Sequence, residues 1–213
     1  MVEMASGKKN LELQLSKISD FENPDVRYEQ YMTSAEVAST LVHMADMNGD
    51  IEGKIVVDLG AGTGMLAIGS ALRNAKLVIG VERDENALSI AKKNARLIAP
   101  DTELSWVLAD VECIPIEIGG DMQITGVMNP PFGAQRSNKH ADRIFLEKMS
   151  EIASVSYSMH NQSSVEFIET FVEAKGGFIS HSYSSVMILK KSQEFHSQSK
   201  KELQMEVHRI VWK

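Results

Sequence analysis

Apolar positions change period along this chain, and the changes mark its elements. Leu11, Leu15 and Ile18 fall at helical spacing and predict a short leading helix within 8–20. The run Asp20-Phe-Glu-Asn-Pro-Asp25 then reads as a turn. Thr33 or Ser34 can cap a helix whose apolar face carries Val37, Leu41 and Met44, and Asn48-Gly49-Asp50 ends it. Lys54–Gly60 is a β-branched apolar run of the kind that fills a buried parallel strand. A helix over Met65–Arg73, a strand over Leu77–Glu82 and a helix capped by Asp84, with Leu88, Ala91, Ala95 and Ile98 on one face, follow. Further strands are expected at Glu103–Leu108, Gln123–Met128 and 152–158, with helices near 140–151 and 162–175. The chain ends in two long strands, about 177–189 and 203–212, joined by a polar loop. Alternating strands and helices predict a doubly wound α/β fold. Its sheet should be mostly parallel and about seven-stranded, with a C-terminal antiparallel hairpin near one edge and an N-terminal helical extension.

Composition narrows the classes. The 213 residues are 43% hydrophobic and 24% charged, enough for one substantial domain over 1–213. The extension takes 1–50 and the sheet with its helices 51–213. The net charge of −7 excludes a strongly basic nucleic-acid coat protein. Cys113 is the single cysteine, so no internal disulfide forms, which suggests a reducing compartment. No apolar run approaches the roughly 18 residues of a membrane span, and the N-terminus lacks the apolar core of a secretory signal. A cytoplasmic location and no membrane partner are the expectation. The six histidines show no metal-ligand spacing, so no metal is expected, and the twelve methionines are most simply core packing.

Three constellations carry chemistry. Asp58-Leu-Gly60-Ala-Gly62-Thr63-Gly64 lies at a strand-to-helix turn, where glycines allow a sharp bend and close backbone approach to a ligand. Its glycines do not match the dinucleotide pattern G-x-G-x-x-G, and the loop better suits an adenosine lacking a pyrophosphate. Glu82 ends the second strand 22 residues after Gly60, where a carboxylate can accept from both ribose hydroxyls. Asp110, after the third strand, can meet the adenine amino group. The third constellation, Asn129-Pro130-Pro131-Phe132, is the most specific. An exocyclic amine is a poor nucleophile because its lone pair is delocalised. Two rigid acceptors, the Asn129 side-chain oxygen and the Pro130 carbonyl, can bind its N–H groups and favour a tetrahedral nitrogen. The prolines stiffen that arrangement, and Phe132 offers a face for base stacking.

These motifs together resemble the class I S-adenosylmethionine-dependent amino-methyltransferases, whose sheet is Rossmann-like. Adding Phe21-Glu22, Glu29-Gln30-Tyr31-x-Thr33 and Tyr157-Ser-x-His160, the chain resembles the methyltransferase-like protein five family. That family makes N6-methyladenosine in small-subunit ribosomal RNA of archaea and eukaryotes, and an archaeal-type member is the closest description. The resemblance implies S-adenosyl-L-methionine as cofactor and S-adenosyl-L-homocysteine as product. It implies that Gln30 and Thr33 in the extension contact the cofactor, with Gly60, Thr63, Met65, Glu82, Asp110 and Val111. It implies that Asn129 and Phe132 hold adenine, and that a small zinc-containing activator subunit can accompany the enzyme.

Several features temper or extend this. The same Asn-Pro-Pro loop serves guanine N2, DNA adenine or protein glutamine as acceptor. A dinucleotide-dependent oxidoreductase is disfavoured by the missing third glycine, and a non-catalytic RNA-binding protein by intact Glu82 and Asn129. Basic side chains gather at Arg136, Lys139, Arg143 and Lys148 and again within 190–213, and with His140 they are candidates to meet RNA. His43 reads as a partly buried structural residue. The Glu103–Leu108 strand should lie at a sheet edge, where Trp106 is an odd residue to leave in water and a partner's strand can add.

Overall fold

The structure, a computed structural model, describes residues 7–25, 28–115, 122–131, 141–189 and 201–213. Short strands, buried at the centre of the sheet and partly exposed at its Leu104–Leu108 edge, set the frame. Ile55–Leu59 (β1), Leu77–Glu82 (β2), Leu104–Leu108 (β3) and Ile124–Met128 (β4) run parallel, joined by Val155–Asn161 (β5). Phe178–Leu189 (β6) and Lys201–Val211 (β7) close the sheet antiparallel, in the order β3-β2-β1-β4-β5-β7-β6. β7 therefore inserts between β5 and β6, and β3 and β6 are the two edges. All five residues of β4 are buried, as a strand covered on both faces requires.

Successive side chains divide the core. Val56, Val78, Val127, Tyr157 and Val207 meet the helices Lys8–Leu15 (α1), Ala35–Met47 (α2) and Met65–Ala71 (α3). Val57, Val81, Met128 and Ile210 meet Ala141–Ile152 (α5) and Val165–Ala174 (α6). The remaining helix, Glu85–Ile98 (α4), starts at Asp84, whose carboxylate accepts from the Asn86 backbone N–H at 2.9 Å. Of the two candidate caps for α2, Ser34 serves, accepting from Val37 N–H at 3.3 Å.

Two expectations need correction. β5 begins at Val155 and not near 152, because Ala153 N–H still bonds the Met149 carbonyl of α5 and the first sheet-side bond is Ser154 N–H to Ile124 O, both at 2.9 Å. Trp106 is not left in water either. Its ring lies over Gly80 of β2, where an added Cβ would sit 2.5 Å away, and against Gly64 and the helical face of the core. β3 is an edge, but its outward apolar residue is Leu108, 53% exposed.

Candidate active site

The carboxyl ends of β1, β2 and β4 open into a cavity of about 520 Å³, closed from one side by residues 28–33. Backbone geometry makes the floor. Gly60 and Ala61 N–H groups both bond the Val81 carbonyl at 2.9 Å, which turns the chain sharply after β1. Gly60 has φ +71°, and a Cβ there would meet the Phe145 ring at 2.9 Å; Gly62 has φ +55° and the Phe21 ring at 3.1 Å. Only glycine fits both conformation and space. The two rings come from α5 and from the turn after α1, far apart in sequence, and both line the cavity.

Most of the predicted residues meet here. Gln30, Thr33, Asp58, Gly60, Gly62, Thr63, Met65, Glu82, Asp110, Val111, Asn129 and Pro131 all line the cavity. Gly64 does not: it is the left-handed N-cap of α3, packed beneath Trp106, Ile68 and Ala91. Pro130 is buried and outside the lining as well. Arg143 is exposed on α5, 5.9 Å over the Phe171 ring of α6 and outside the lining. Phe132, Arg136, Lys139 and His140 lie outside the described residues, as does the loop before β7. Tyr28, Arg83, Ile144 and Phe145 also line the cavity and escaped the sequence reading; Phe21, Glu29 and Tyr31 entered it only through the resemblance.

Several carboxylates are committed before any ligand arrives. Glu82 Oε1 accepts from Arg83 and Asp84 N–H at 2.8 and 2.9 Å, and Oε2 from Gly62 N–H at 2.8 Å. A carboxylate offers about four acceptor positions, so about one remains, fewer than two ribose hydroxyls need. Asp110 accepts from Glu112 N–H at 3.1 Å and lies 3.4 Å from Arg83, whose guanidinium also covers the Tyr28 ring at 4.6 Å. Gln30 spans Asp25 N–H and Asp84 Oδ2, both at 2.7 Å, and thereby ties the extension to α4. Glu29 adopts φ +50°, rare for a residue with a side chain, with Tyr31 N–H bonded to its carbonyl at 2.9 Å.

Burial dominates the electrostatics. Desolvation lifts the Asp58 carboxyl to about 7, against one Ala67 N–H bond at 2.9 Å and with a further push from Glu82. Glu82 is raised by burial too, opposed by its three backbone donors. Asn129 Oδ1 and Thr63 Oγ1, on residues that line the cavity, are buried and have no hydrogen-bond partner among the described residues. Asn129 Nδ2, by contrast, donates to Thr33 Oγ1 at 2.9 Å. Among the described residues no group of three or more His, Cys, Asp or Glu is placed to hold a metal ion, and no helix is long and apolar enough to cross a membrane.

Residues 39–122 match the model of the ribosomal protein L11 methyltransferase (PrmA) family. A candidate RNA methyltransferase of Pyrococcus horikoshii has a crystal structure that superposes with a TM-score of 0.84 at 37% identity, covering 96% of this chain and 97% of that one. An uncharacterized protein of Methanocaldococcus jannaschii is 36% identical over 95% of this chain and 93% of its own length. The rRNA N(6)-adenosine-methyltransferase Mettl5 of Drosophila melanogaster is 31% identical over 95% of both chains. With relatives of that identity spanning nearly its whole length, the chain belongs to the METTL5 family of rRNA N6-adenosine methyltransferases.

Proposed function

We propose that this protein transfers a methyl group from S-adenosylmethionine to the N6 amine of an adenosine in small-subunit ribosomal RNA. The observation that carries the reading is Asn129 Oδ1, a buried acceptor on a residue that lines the cavity, with no hydrogen-bond partner among the described residues. Such an atom costs about 1–3 kcal/mol unless a ligand donor satisfies it. An amine N–H is that donor. The cavity fits the cofactor as well: glycines at 60 and 62 bring backbone to its wall, Thr63 Oγ1 has no partner among the described residues, and about one acceptor position of Glu82 stays open.

S-adenosylmethionine supplies an electrophilic methyl on a sulfonium cation. The protein's part is alignment and the stabilisation of a more tetrahedral amine nitrogen by Asn129. Glu82 holds a ribose hydroxyl, while Asp58 offers the cation a buried carboxylate. No side chain is required as general base, because the methylated amine sheds its proton to water.

Nucleoside mass spectrometry of small-subunit rRNA, from cells with and without the gene, tests this. Loss of one N6-methyladenosine on deletion is expected; an unchanged nucleoside profile would refute the assignment. S-adenosylhomocysteine should raise the melting temperature and NAD should not, since only a ligand of the folded state stabilises it.

The partner is an extension of the same reading. The free edge of β3 carries exposed Leu108 and presents backbone to which a second chain can add a strand. A small zinc-containing activator subunit would dock there, anchored by Leu108 while Trp106 stays within the core. Capture from the native source should recover a small protein with the wild-type chain and lose it with Leu108→Asp. Recovery undiminished by that change would move the interface elsewhere.

A further inference from the structure

We infer that Thr33 is a positioning residue that links the two ends of the site: its hydroxyl ties occupancy of the cofactor end to the orientation of the Asn129 amide. The inference rests on the methyl-transfer reading above. An asparagine amide has two nearly isosteric orientations, because its terminal torsion is broad and roughly two-fold. With Oδ1 toward the cavity, Asn129 accepts from the substrate amine. With Nδ2 there, donor meets donor and the amine is repelled. Shape alone does not choose between the two; a hydrogen bond must.

The bond that chooses is Asn129 Nδ2 to Thr33 Oγ1, 2.9 Å long, made by a threonine only 7% exposed. It joins residues 96 positions apart, so it exists only because residues 28–33 cross the carboxyl ends of the strands. A hydroxyl is ambivalent, though, with one donor and two acceptor positions. It accepts from Nδ2, but it can also rotate and donate to Oδ1 of the reversed amide. Thr33 therefore selects an orientation only when its own proton is engaged elsewhere.

Thr33 lines the same cavity as Asp58, Gly60 and Glu82, so a cofactor acceptor atom within reach would take that proton. The hydroxyl is then committed as acceptor toward Nδ2, and Oδ1 is held toward the substrate. Cofactor binding thereby prepares the amine site. By linkage, bound RNA must tighten the cofactor by the same factor. One hydrogen bond of this kind supports a coupling of about tenfold.

The test uses the protein as isolated from its source and small-subunit rRNA from gene-deleted cells as the probe. RNA affinity is measured with and without saturating S-adenosylhomocysteine for wild type, Thr33→Ser and Thr33→Val, alongside single-turnover methylation and S-adenosylhomocysteine affinity. Wild type and Thr33→Ser should show RNA binding tightened about tenfold by S-adenosylhomocysteine. Thr33→Val, which keeps the shape and removes the hydroxyl, should lose that coupling and about tenfold in rate at saturating cofactor and RNA. A purely structural role for Thr33 would lower melting temperature and activity yet leave the coupling intact. Full coupling in Thr33→Val, or none in wild type, would overturn the inference while methylation itself persists. Failure of the wild type to methylate this RNA would instead overturn the function on which the inference stands.

Discussion

The two halves of the sheet treat buried polar groups in opposite ways. In the C-terminal half, β5, β7 and β6 satisfy such groups within the protein, with Asp50 from the turn before β1 as a shared acceptor. Arg209 binds Asp50 at 2.8 and 3.3 Å, Tyr157 at 3.1 Å and Ser180 at 2.9 Å, and the Tyr157 hydroxyl donates to Asp50 at 2.6 Å. Trp212 Nε1 donates to Ser156 at 3.0 Å, Ser158 bonds His160, and Ser182 bonds His208 Nδ1 at 2.8 Å. Among the described residues of this half, His208 Nε2 is the exception, facing the Glu206 carboxylate at 3.9 Å. On the residues that line the cavity, by contrast, Asn129 Oδ1 and Thr63 Oγ1 are buried with no hydrogen-bond partner among the described residues. Closed networks specify architecture, whereas open atoms beside a cavity specify a ligand.

The contrast is easiest to break at Asn129. Asn129→Ala should slow single-turnover methylation about 100- to 1,000-fold, the equivalent of roughly 2.7–4 kcal/mol for one preorganised bond. Cofactor affinity, read by calorimetry, should change little. Wild-type turnover in this variant would place the chemistry away from the open half. The closed half should respond in stability and not in rate. Arg209→Met strands Asp50 with a single tyrosine hydroxyl, in a pair whose side chains are 16% and 13% exposed, and should cost about 2–3 kcal/mol in urea unfolding. If the Arg209 variant unfolds like wild type, that network is ornamental and the comparison loses one side.

This division explains what was legible in the sequence. The glycine turn, Glu82 and Asn129-Pro-Pro are local signals, each at the end of a buried strand, so their convergence followed from strand order alone. Phe145 against Gly60 and Phe21 against Gly62 had no local signal, because tertiary packing of α5 and of the turn after α1 brings each pair together. His160 and His208 looked like scattered histidines, yet the antiparallel register of β5 and β7 stacks their rings with centroids 6.0 Å apart. Trp106 was misjudged for a related reason: edge position says nothing about which face a side chain takes, and the bare backbone of Gly80 made room for the ring. Glu82 shows the remaining limit, since its role in holding Gly62 N–H depends on a turn whose shape spacing does not encode.

A smaller effect separates the halves by acid. Burial and the neighbouring His208 depress His160 to about 3, while His208 is itself lowered by burial against the carboxylates of Glu206 and Glu169. A histidine depressed in the folded state contributes stability that is present above its unfolded value near 6.5 and lost as pH falls toward 3. Between pH 7 and 5 this amounts to on the order of 2 kcal/mol. His160→Gln should therefore flatten the fall in melting temperature over that window. An equally steep fall in the variant would assign the acid sensitivity to other groups.

The smallest effect has the opposite sign and belongs to Asp58. Its folded value, about 7, lies above the unfolded value near 3.8, so the folded apo protein binds the extra proton between them. Its contribution to apo stability is present below about 3.8 and is lost as pH rises through about 7. Asp58→Asn, whose amide oxygen can still accept from Ala67 N–H, should thus gain on wild type in apo melting temperature as pH increases from 5 to 8. A cationic cofactor favours the ionised carboxylate and reverses the slope. Affinity for S-adenosylmethionine should fall about tenfold from pH 8 to pH 6, the change expected when one group near 7 must lose a proton before binding. Once the cofactor is bound, that proton is gone. kcat/KM for the cofactor should then show an acid limb near pH 7, since it reports the free enzyme, while single-turnover rates at saturating cofactor stay nearly flat between about 6.5 and 8.5. A limb in the saturated rate as well would mean that a protein group takes the amine proton, and water would no longer suffice as acceptor.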